Sequence, residues 1–463
     1  MGDTEYTPQG SVPVLPLLTV VAALALCFFA LMSEIQPELG TMAVISVVIF
    51  TLGAVLLARR SAESVWSFSS VCFLVMSIFH FGALPEFLFS DRASLSYVDR
   101  WIHSPSAVRA AWIAFIGALS FVAGALLVPK SPPISKDRSN VVARDSRRHA
   151  QALVGAGVTM IGVLAWLAFF YRSGLGLSAN YDEYLRASST GPLQLIYFAL
   201  GLGFCWAAIE YRSRPSMVAA FFFLVFAFIG FPIGLRGEVL FPIAAAVAIV
   251  AMHRAMPRWW VLAIAAIVAL SAAAVVSVTR QGSDEIPDLA RLPLTGLSEM
   301  GRSLEVVDAT IVWEAGGQSP YYGMTYVAPM SDAFTRYVLR QPVTDPSSNP
   351  NYMSTQVSAD RGAIGGSIIA EAYNNFRLPG VVVILGFWGW LIAKTDALAR
   401  RRSDFLPWAA TLTFIFLLLV RNSFAQVPTV LLMAVVMLLA ASMYRTVVIS
   451  SASAWTRRQQ KQW

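Results

Sequence analysis

MVAAFFFLVFAFIGFPIGLRGEVLFPIAAAVAIVAM, running from Met217 to Met252, decides the fold. Two uncharged apolar runs, Met217–Ile233 and Val239–Met252, are joined by Gly234-Leu235-Arg236-Gly237-Glu238. A segment that crosses the hydrocarbon core needs roughly 20 predominantly apolar residues. Lipid offers no partner to a backbone N–H or C=O, so a crossing segment here must be a helix. The stretch reads as two membrane helices with a short polar turn between them. Working outward, the same reading gives runs at Pro13–Met32, Thr41–Ala58, Val65–Phe87, Ala107–Val128, Ala152–Phe170 and Pro192–Ala208 before it. Trp259–Val278, Pro379–Ala393, Leu406–Val420 and Val427–Met443 follow. The chain is 57% apolar and 13% charged with a mean hydropathy of +0.62, which excludes a soluble enzyme on a single anchor. The fold class is an all-α polytopic membrane protein with about 12 transmembrane helices (range about 11–13) and a large, partly helical external loop between spans nine and ten. Residues 1–279 carry the first nine spans, 280–378 the loop, and 379–463 the last three spans and a tail. Asp3 and Glu5 precede the first run where a signal peptide would be basic, so it reads as a retained span.

The 34 Lys+Arg against 27 Asp+Glu give +7, and in a membrane protein their placement matters more than their sum. Arg59, Arg60, Lys130, Lys136, Arg147, Arg148, Arg212, Arg214, Arg254, Arg258, Arg400–Arg402, Arg445 and Arg457 all fall in alternate connections. Those connections are cytoplasmic by the positive-inside rule, both termini lie inside, and no nucleic-acid partner is implied. The 3 cysteines, Cys27, Cys72 and Cys205, lie in apolar runs and read as packing residues. Ser131–Arg148 reads as a flexible basic loop that can touch anionic membrane lipid.

The informative charges face the other way. Arg236 and Glu238 sit in the outer turn, Arg280 ends the ninth span, and Arg421 with Asn422 ends the eleventh. Guanidinium is suited to diphosphate through bidentate, charge-assisted hydrogen bonds. Alternatively each arginine snorkels or pairs locally, Arg236 with Glu238 for example. In the loop, Leu297, Met300, Leu304, Val307 and Ile311 have the spacing of one helical face, with Glu299, Arg302, Glu305 and Asp308 elsewhere on it. A short helix is expected over Asp332–Arg340 and another from near Ile364. On that last helix Ser367, Glu371 and Asn374 share a polar face beside Asn375, suited to sugar hydroxyls, with Glu371 a candidate general base or else a solvated helix residue. Tyr321, Tyr322 and Tyr326 can stack on sugar rings or belong to an interfacial aromatic belt. His103 is the one histidine placed in an outer loop, and neither a phosphate-binding glycine loop nor a Cys/His metal spacing occurs, so no metal and no cofactor are expected.

The G-L-R-G-E turn, T-R-Q-G at Thr279–Gly282, Y-Y-G-M-T-Y at Tyr321–Tyr326, the stretch from Gly362 to Phe376 and R-N-S-F at Arg421–Phe424, in this order and with a large late loop, resemble the Wzy-type O-antigen polysaccharide polymerases. The resemblance runs from about Gly230 to Phe424. It implies a metal-independent glycosyltransferase at the outer face of the cytoplasmic (inner) membrane. Such an enzyme moves a growing glycan from undecaprenyl diphosphate to the non-reducing end of a lipid-linked oligosaccharide repeat unit. Donor and acceptor are then both undecaprenyl-diphosphate-linked, with a chain-length regulator and a flippase as further partners. Carried onto this chain, Arg236, Arg280 and Arg421 hold the donor diphosphate and Glu371 accepts the acceptor proton. Tyr373, Asn375 and Asn422, with Glu238, Ser367 and Tyr322, position sugars.

Rival readings are weighed on the same residues. An O-antigen ligase resembles this family but uses a periplasmic histidine, and His103 lies outside the long loop. Polyprenyl-linked glycosyltransferases of the GT-C type resemble one another in an acidic pair on a long first external loop, whereas here Glu34 and Glu38 sit on a short one. A lipid-linked oligosaccharide flippase or transporter would show paired halves, and this chain is asymmetric.

Overall fold

The computed structural model describes residues 13–60, 65–129, 141–174, 184, 193–252, 258–280, 289–343, 348–362 and 364–460. In chain order the helices are α1 (Val14–Met32), α2 (Leu39–Arg60), α3 (Phe68–Phe81), α4 (Ser96–Ile102), α5 (Pro105–Leu126), α6 (Val141–Arg172), α7 (Leu193–Ala207), α8 (Arg214–Ile233) and α9 (Arg236–Ala251). They continue with α10 (Trp259–Arg280), α11 (Leu292–Met300), α12 (Ser303–Ala315), α13 (Met324–Tyr337), α14 (Met353–Arg361), α15 (Ile368–Arg401), α16 (Leu406–Arg421) and α17 (Val427–Gln460). No strand occurs among the described residues. Among them 9 helices are long and apolar enough to cross a membrane: α1, α2, α5, α6, α7 with its extension to Glu210, α8, α10, α15 and α17. The remaining expected runs form shorter helices of 14 residues in α3, 16 in α9 and 16 in α16. At 1.5 Å per residue these reach roughly 21–24 Å of a core about 30 Å thick.

Burial separates a centre from a periphery. In α5, 89% of the apolar window is buried, against 17% in α1 and 22% in α10. Side chains such as Phe228, 84% exposed, form an apolar outer surface that water would penalise and lipid accepts. At the centre, α5 and α15 touch backbone to backbone. A methyl added to Gly124 would lie 1.9 Å from the Gly386 carbonyl oxygen, and one on Gly389 1.9 Å from that of Phe121. Small residues at such contacts are how membrane helices approach closely without a hydrophobic drive between them.

The bundle has two polar ends. At one, Arg60 Nε donates to the Val128 carbonyl at 3.2 Å, Arg400 Nε to Asp396 Oδ1 at 3.2 Å, His149 Nδ1 lies 2.9 Å from Glu210 Oε2, and Arg147 pairs with Asp404. These are the connections whose basic residues the sequence groups on one side. At the other end gather the N-termini of α5, α9 and α15, the C-termini of α3, α10 and α16, and the helices of the long connection.

Several boundaries differ from the sequence reading. The face from Leu297 to Ile311 predicts one helix, but the chain breaks between α11 and α12 at Gly301. The break sits against the turn after α3, where a methyl on Gly301 would be 2.1 Å from the Ala83 nitrogen, so the backbones meet too closely for a continuous helix with side chains. Helix α11 folds back along α10, its Gly296 facing the Leu270 carbonyl, and Glu299, Glu305 and Asp308, expected on the outward side, are buried. The helix expected at Asp332–Arg340 runs instead over Met324–Tyr337. Of the basic loop Ser131–Arg148, residues from Val141 onward belong to α6, and 131–140 lie outside the described residues, as do 1–12 and Asp182-Glu183.

Helix α15 passes from the long connection into the bundle and bends at Arg377, whose φ of +56° is left-handed. Pro379 has no N–H, so the Asn375 carbonyl lacks its helical donor. The Tyr322 N–H supplies one at 3.0 Å, and the Tyr321 N–H binds the Asn374 carbonyl at 3.1 Å. A non-glycine residue costs about 1–2 kcal/mol in the left-handed region. Here the Arg377 side chain is tied to the Gln318 carbonyl and to Glu314, 3.4 Å from its Nε.

Candidate active site

The turn between α8 and α9 is tighter than the sequence suggests. Gly234, at φ +112°, closes α8 in the left-handed conformation, Leu235 follows, and Arg236 and Glu238 already belong to the first turn of α9. A carboxylate is favoured at that helix terminus. Residues i and i+2 on a helix point apart, so the local Arg236–Glu238 pair is not made. Arg236, 2% exposed, donates from Nη1 to Glu299 Oε1 at 2.7 Å, across from α9 to α11. Glu299 Oε2 accepts the Ser277 hydroxyl at 3.1 Å, Ser277 Oγ lies 3.2 Å from the Tyr97 hydroxyl, and the Arg302 guanidinium lies 4.4 Å over the Tyr97 ring. Burial pushes Glu299 up to about 7, against Arg302 and Arg421, which pull it down.

Arg421 ends α16 with its guanidinium 5.8 Å from the Phe79 ring, and its charge acts on both Glu238 and Glu299. The Gly362-to-Ser367 strap fixes its backbone. Gly366 N–H donates to the Arg421 carbonyl, and a methyl on Gly365 would lie 2.6 Å from that oxygen. Gly365 has a φ of +91°, so the position wants glycine on both grounds. Ser367 caps α15 through the Ala370 N–H at 3.1 Å and lies 2.7 Å from His80 Nε2. His80 Nδ1 faces the Met76 carbonyl at 2.9 Å, which requires a donor there and leaves Nε2 to accept the Ser367 hydroxyl.

Glu371 is 1% exposed, and its Oε2 accepts the Phe424 N–H at 2.8 Å, holding the break after α16 in register with α15. Asn375 braces the start of α13, accepting from Gly323 N–H at 2.9 Å and donating to Thr325 Oγ1 at 2.7 Å. Tyr373 donates to Glu314 Oε2 at 2.5 Å, in a separate cluster with Arg109 and Arg377, and Tyr322 is 76% exposed. Arg280 ends α10, and its side chain lies outside the described residues. The sequence-predicted residues thus fall into a polar group (Arg236, Glu238, Arg421, Asn422), a strap that holds it (Ser367, Glu371, Asn375), the buried Tyr373 and the exposed Tyr322.

A cavity of about 100 Å³ opens between the ends of α7, α9 and α16 that lie near Arg236. Gln194, Tyr197, Glu238, Asn422 and Gln426 form its polar wall, and Phe198, Phe241, Phe414 and Leu418 its floor. The sequence reading gave no role in the site to Glu299, His80, Gln194 or Gln426. An acid inside the otherwise apolar L-P-L-T-G-L-S-E-M helix was the available signal for Glu299; a lone glutamine at a helix end gives none.

Residues 17–449 match the family described as O-antigen polysaccharide polymerase Wzy. The chain belongs to that family. The Wzy match takes in the first five helical runs as well as the motif-bearing half, so the whole bundle is the family's unit. Protein CapE of Staphylococcus aureus is similar, 23% identical over 284 residues that make up 59% of this chain and 61% of CapE. That alignment spans less than two thirds of CapE. No solved structure matches the chain. Wzy membership and the apolar helices together make this a multi-pass membrane protein.

Proposed function

We propose that the chain polymerises undecaprenyl-diphosphate-linked oligosaccharide repeats at the outer face of the cytoplasmic membrane. An oxygen of the acceptor repeat's non-reducing sugar attacks the anomeric carbon that links the growing glycan to undecaprenyl diphosphate. The new C–O bond forms as the C–O bond to diphosphate breaks, and the electron pair leaves on the diphosphate. Arg421, with Arg236 and Arg280, binds that diphosphate and stabilises its growing charge. Glu238, on the cavity wall and within the field of Arg421, takes the hydroxyl proton. Glu371, whose Oε2 accepts the Phe424 amide, positions the Arg421–Phe424 turn. Arg236 reaches the donor by exchanging Glu299 for diphosphate. Asn422 orients a sugar on the same wall, and no metal takes part.

The observation that carries this reading is the convergence of Glu238 and Asn422, from two separate helices, on one cavity at one end of the bundle, with the charge of Arg421 acting on Glu238 beside it. The grouping of the basic connections at the other end supports both termini being cytoplasmic and the short helices α3, α9 and α16 completing twelve passes. A chain-length regulator and a flippase would be partners. The test is polymerisation of a lipid-linked repeat by membranes carrying Arg421→Ala. The expected result is a drop of about 10²–10³ in rate, with single-repeat product at most; a normal ladder overturns the diphosphate assignment.

A further inference from the structure

The cavity beside Arg421 has a chemistry unlike that of the arginines. Its wall carries the carboxamides of Gln194, Asn422 and Gln426, the phenol of Tyr197 and one carboxylate, Glu238, and no cation lines it. Diphosphate is drawn to guanidinium and repelled by carboxylate, so this space does not suit the lipid's charged group. Each amide offers a donor and an acceptor, and vicinal sugar hydroxyls present both. The floor of Phe198, Phe241 and Phe414 is aromatic, which suits the C–H face of a sugar ring. A further observation decides between a hydroxyl-bearing ligand and an anion. Gln426 Oε1 is a buried acceptor with no hydrogen-bond partner among the described residues. A buried acceptor calls for a donor; a sugar hydroxyl is one, and an ionised diphosphate has none to give.

We infer that this cavity is the acceptor-sugar subsite, in which Gln194, Tyr197 and Gln426 recognise the non-reducing terminal sugar of the incoming repeat and set which repeat is extended. The inference rests on the polymerase reading and places the acceptor hydroxyl against Glu238 and the donor against Arg421. On transfer, the hydroxyl proton passes to the Glu238 carboxylate, the oxygen bonds to the donor's anomeric carbon, and undecaprenyl diphosphate leaves with the electron pair of the broken bond.

The test uses the full-length protein in lipid nanodiscs and two variants, Gln426→Ala and the rim variant Gln194→Ala, whose exposed position spares folding. Acceptor KM and donor KM are measured separately, and binding of the lipid-free repeat as its methyl glycoside is followed by calorimetry. Loss of one neutral hydrogen bond predicts a roughly tenfold rise in acceptor KM and in the glycoside Kd, with donor KM within about twofold of wild type. Unchanged acceptor KM in both variants, or an equal rise in donor KM, overturns the subsite. Arg421→Ala separates the two failures. If it is inactive while the glutamine variants are normal, only the subsite is wrong; if it polymerises normally, the underlying reading falls as well.

Discussion

Both ends of the bundle bury arginine against carboxylate, and they do so differently. At one end Arg400 and Asp396 are one turn apart on α15, and Arg60 donates to the Val128 carbonyl. At the other end Arg236 pairs with Glu299 from a helix 63 residues away, and Glu238 and Asn422 beside it line a cavity. A buried charge is therefore a poor marker of chemistry by itself. What distinguishes the Arg236 end is that its charges border open space, so a ligand can replace a protein partner.

The sharpest way to break the contrast is to change one charged residue at each end. Arg421→Lys keeps the charge and loses the planar fork; polymerisation in membranes is expected to fall by about 10²-fold with an unchanged thermal midpoint. Asp396→Asn should do the opposite. It leaves two buried guanidiniums short of a counter-charge, a loss of about 3–5 kcal/mol, seen as a lower thermal midpoint and yield with the rate per folded molecule preserved. Equal loss of rate at both ends would erase the distinction.

Smaller changes sharpen it. Glu299→Gln removes the charge that competes for Arg236, so donor KM should fall severalfold, within the roughly 5–150-fold range of such couplings; a rise would mean that Glu299 only holds Arg236 in place. The same residue carries a pH signature. Burial raises Glu299 from its ordinary 4.5 to about 7, so the folded state holds a proton that the unfolded chain has released. That contribution to stability is complete below 4.5 and is lost as pH rises through about 7, and the decline in thermal midpoint over this window should be shallower in Glu299→Gln. The least effect is expected from Tyr322→Ala, exposed and not part of the cavity lining, with a change in rate below about twofold.

The helical bundle was legible because hydropathy is additive along the chain and each span announces itself. The grouping of Arg236, Glu238, Arg421 and Asn422 was legible too, because arginines at the outer ends of apolar runs oppose the positive-inside trend. Partners were not. The spacing that put Glu299 off the apolar face assumed one continuous helix, while Gly301 breaks that helix and α11 is enclosed against α10. Glu371 looked like an open base because the sequence shows its helix face and conceals the Phe424 amide opposite it. Arg377 stands where the backbone adopts a glycine-like conformation, and only the donation of the Tyr321 and Tyr322 amides to the Asn374 and Asn375 carbonyls shows what holds it there.

The fold-back of α11 along α10 has a thermodynamic consequence. Glu299 rides on that helix, so the proposed exchange of Glu299 for a diphosphate at Arg236 would link donor occupancy to the position of the long connection. Linkage is reciprocal. On that proposal, anything that clamps α11 against α10 weakens the donor by the same factor by which the donor loosens the clamp, a handle on the reaction that does not enter the site.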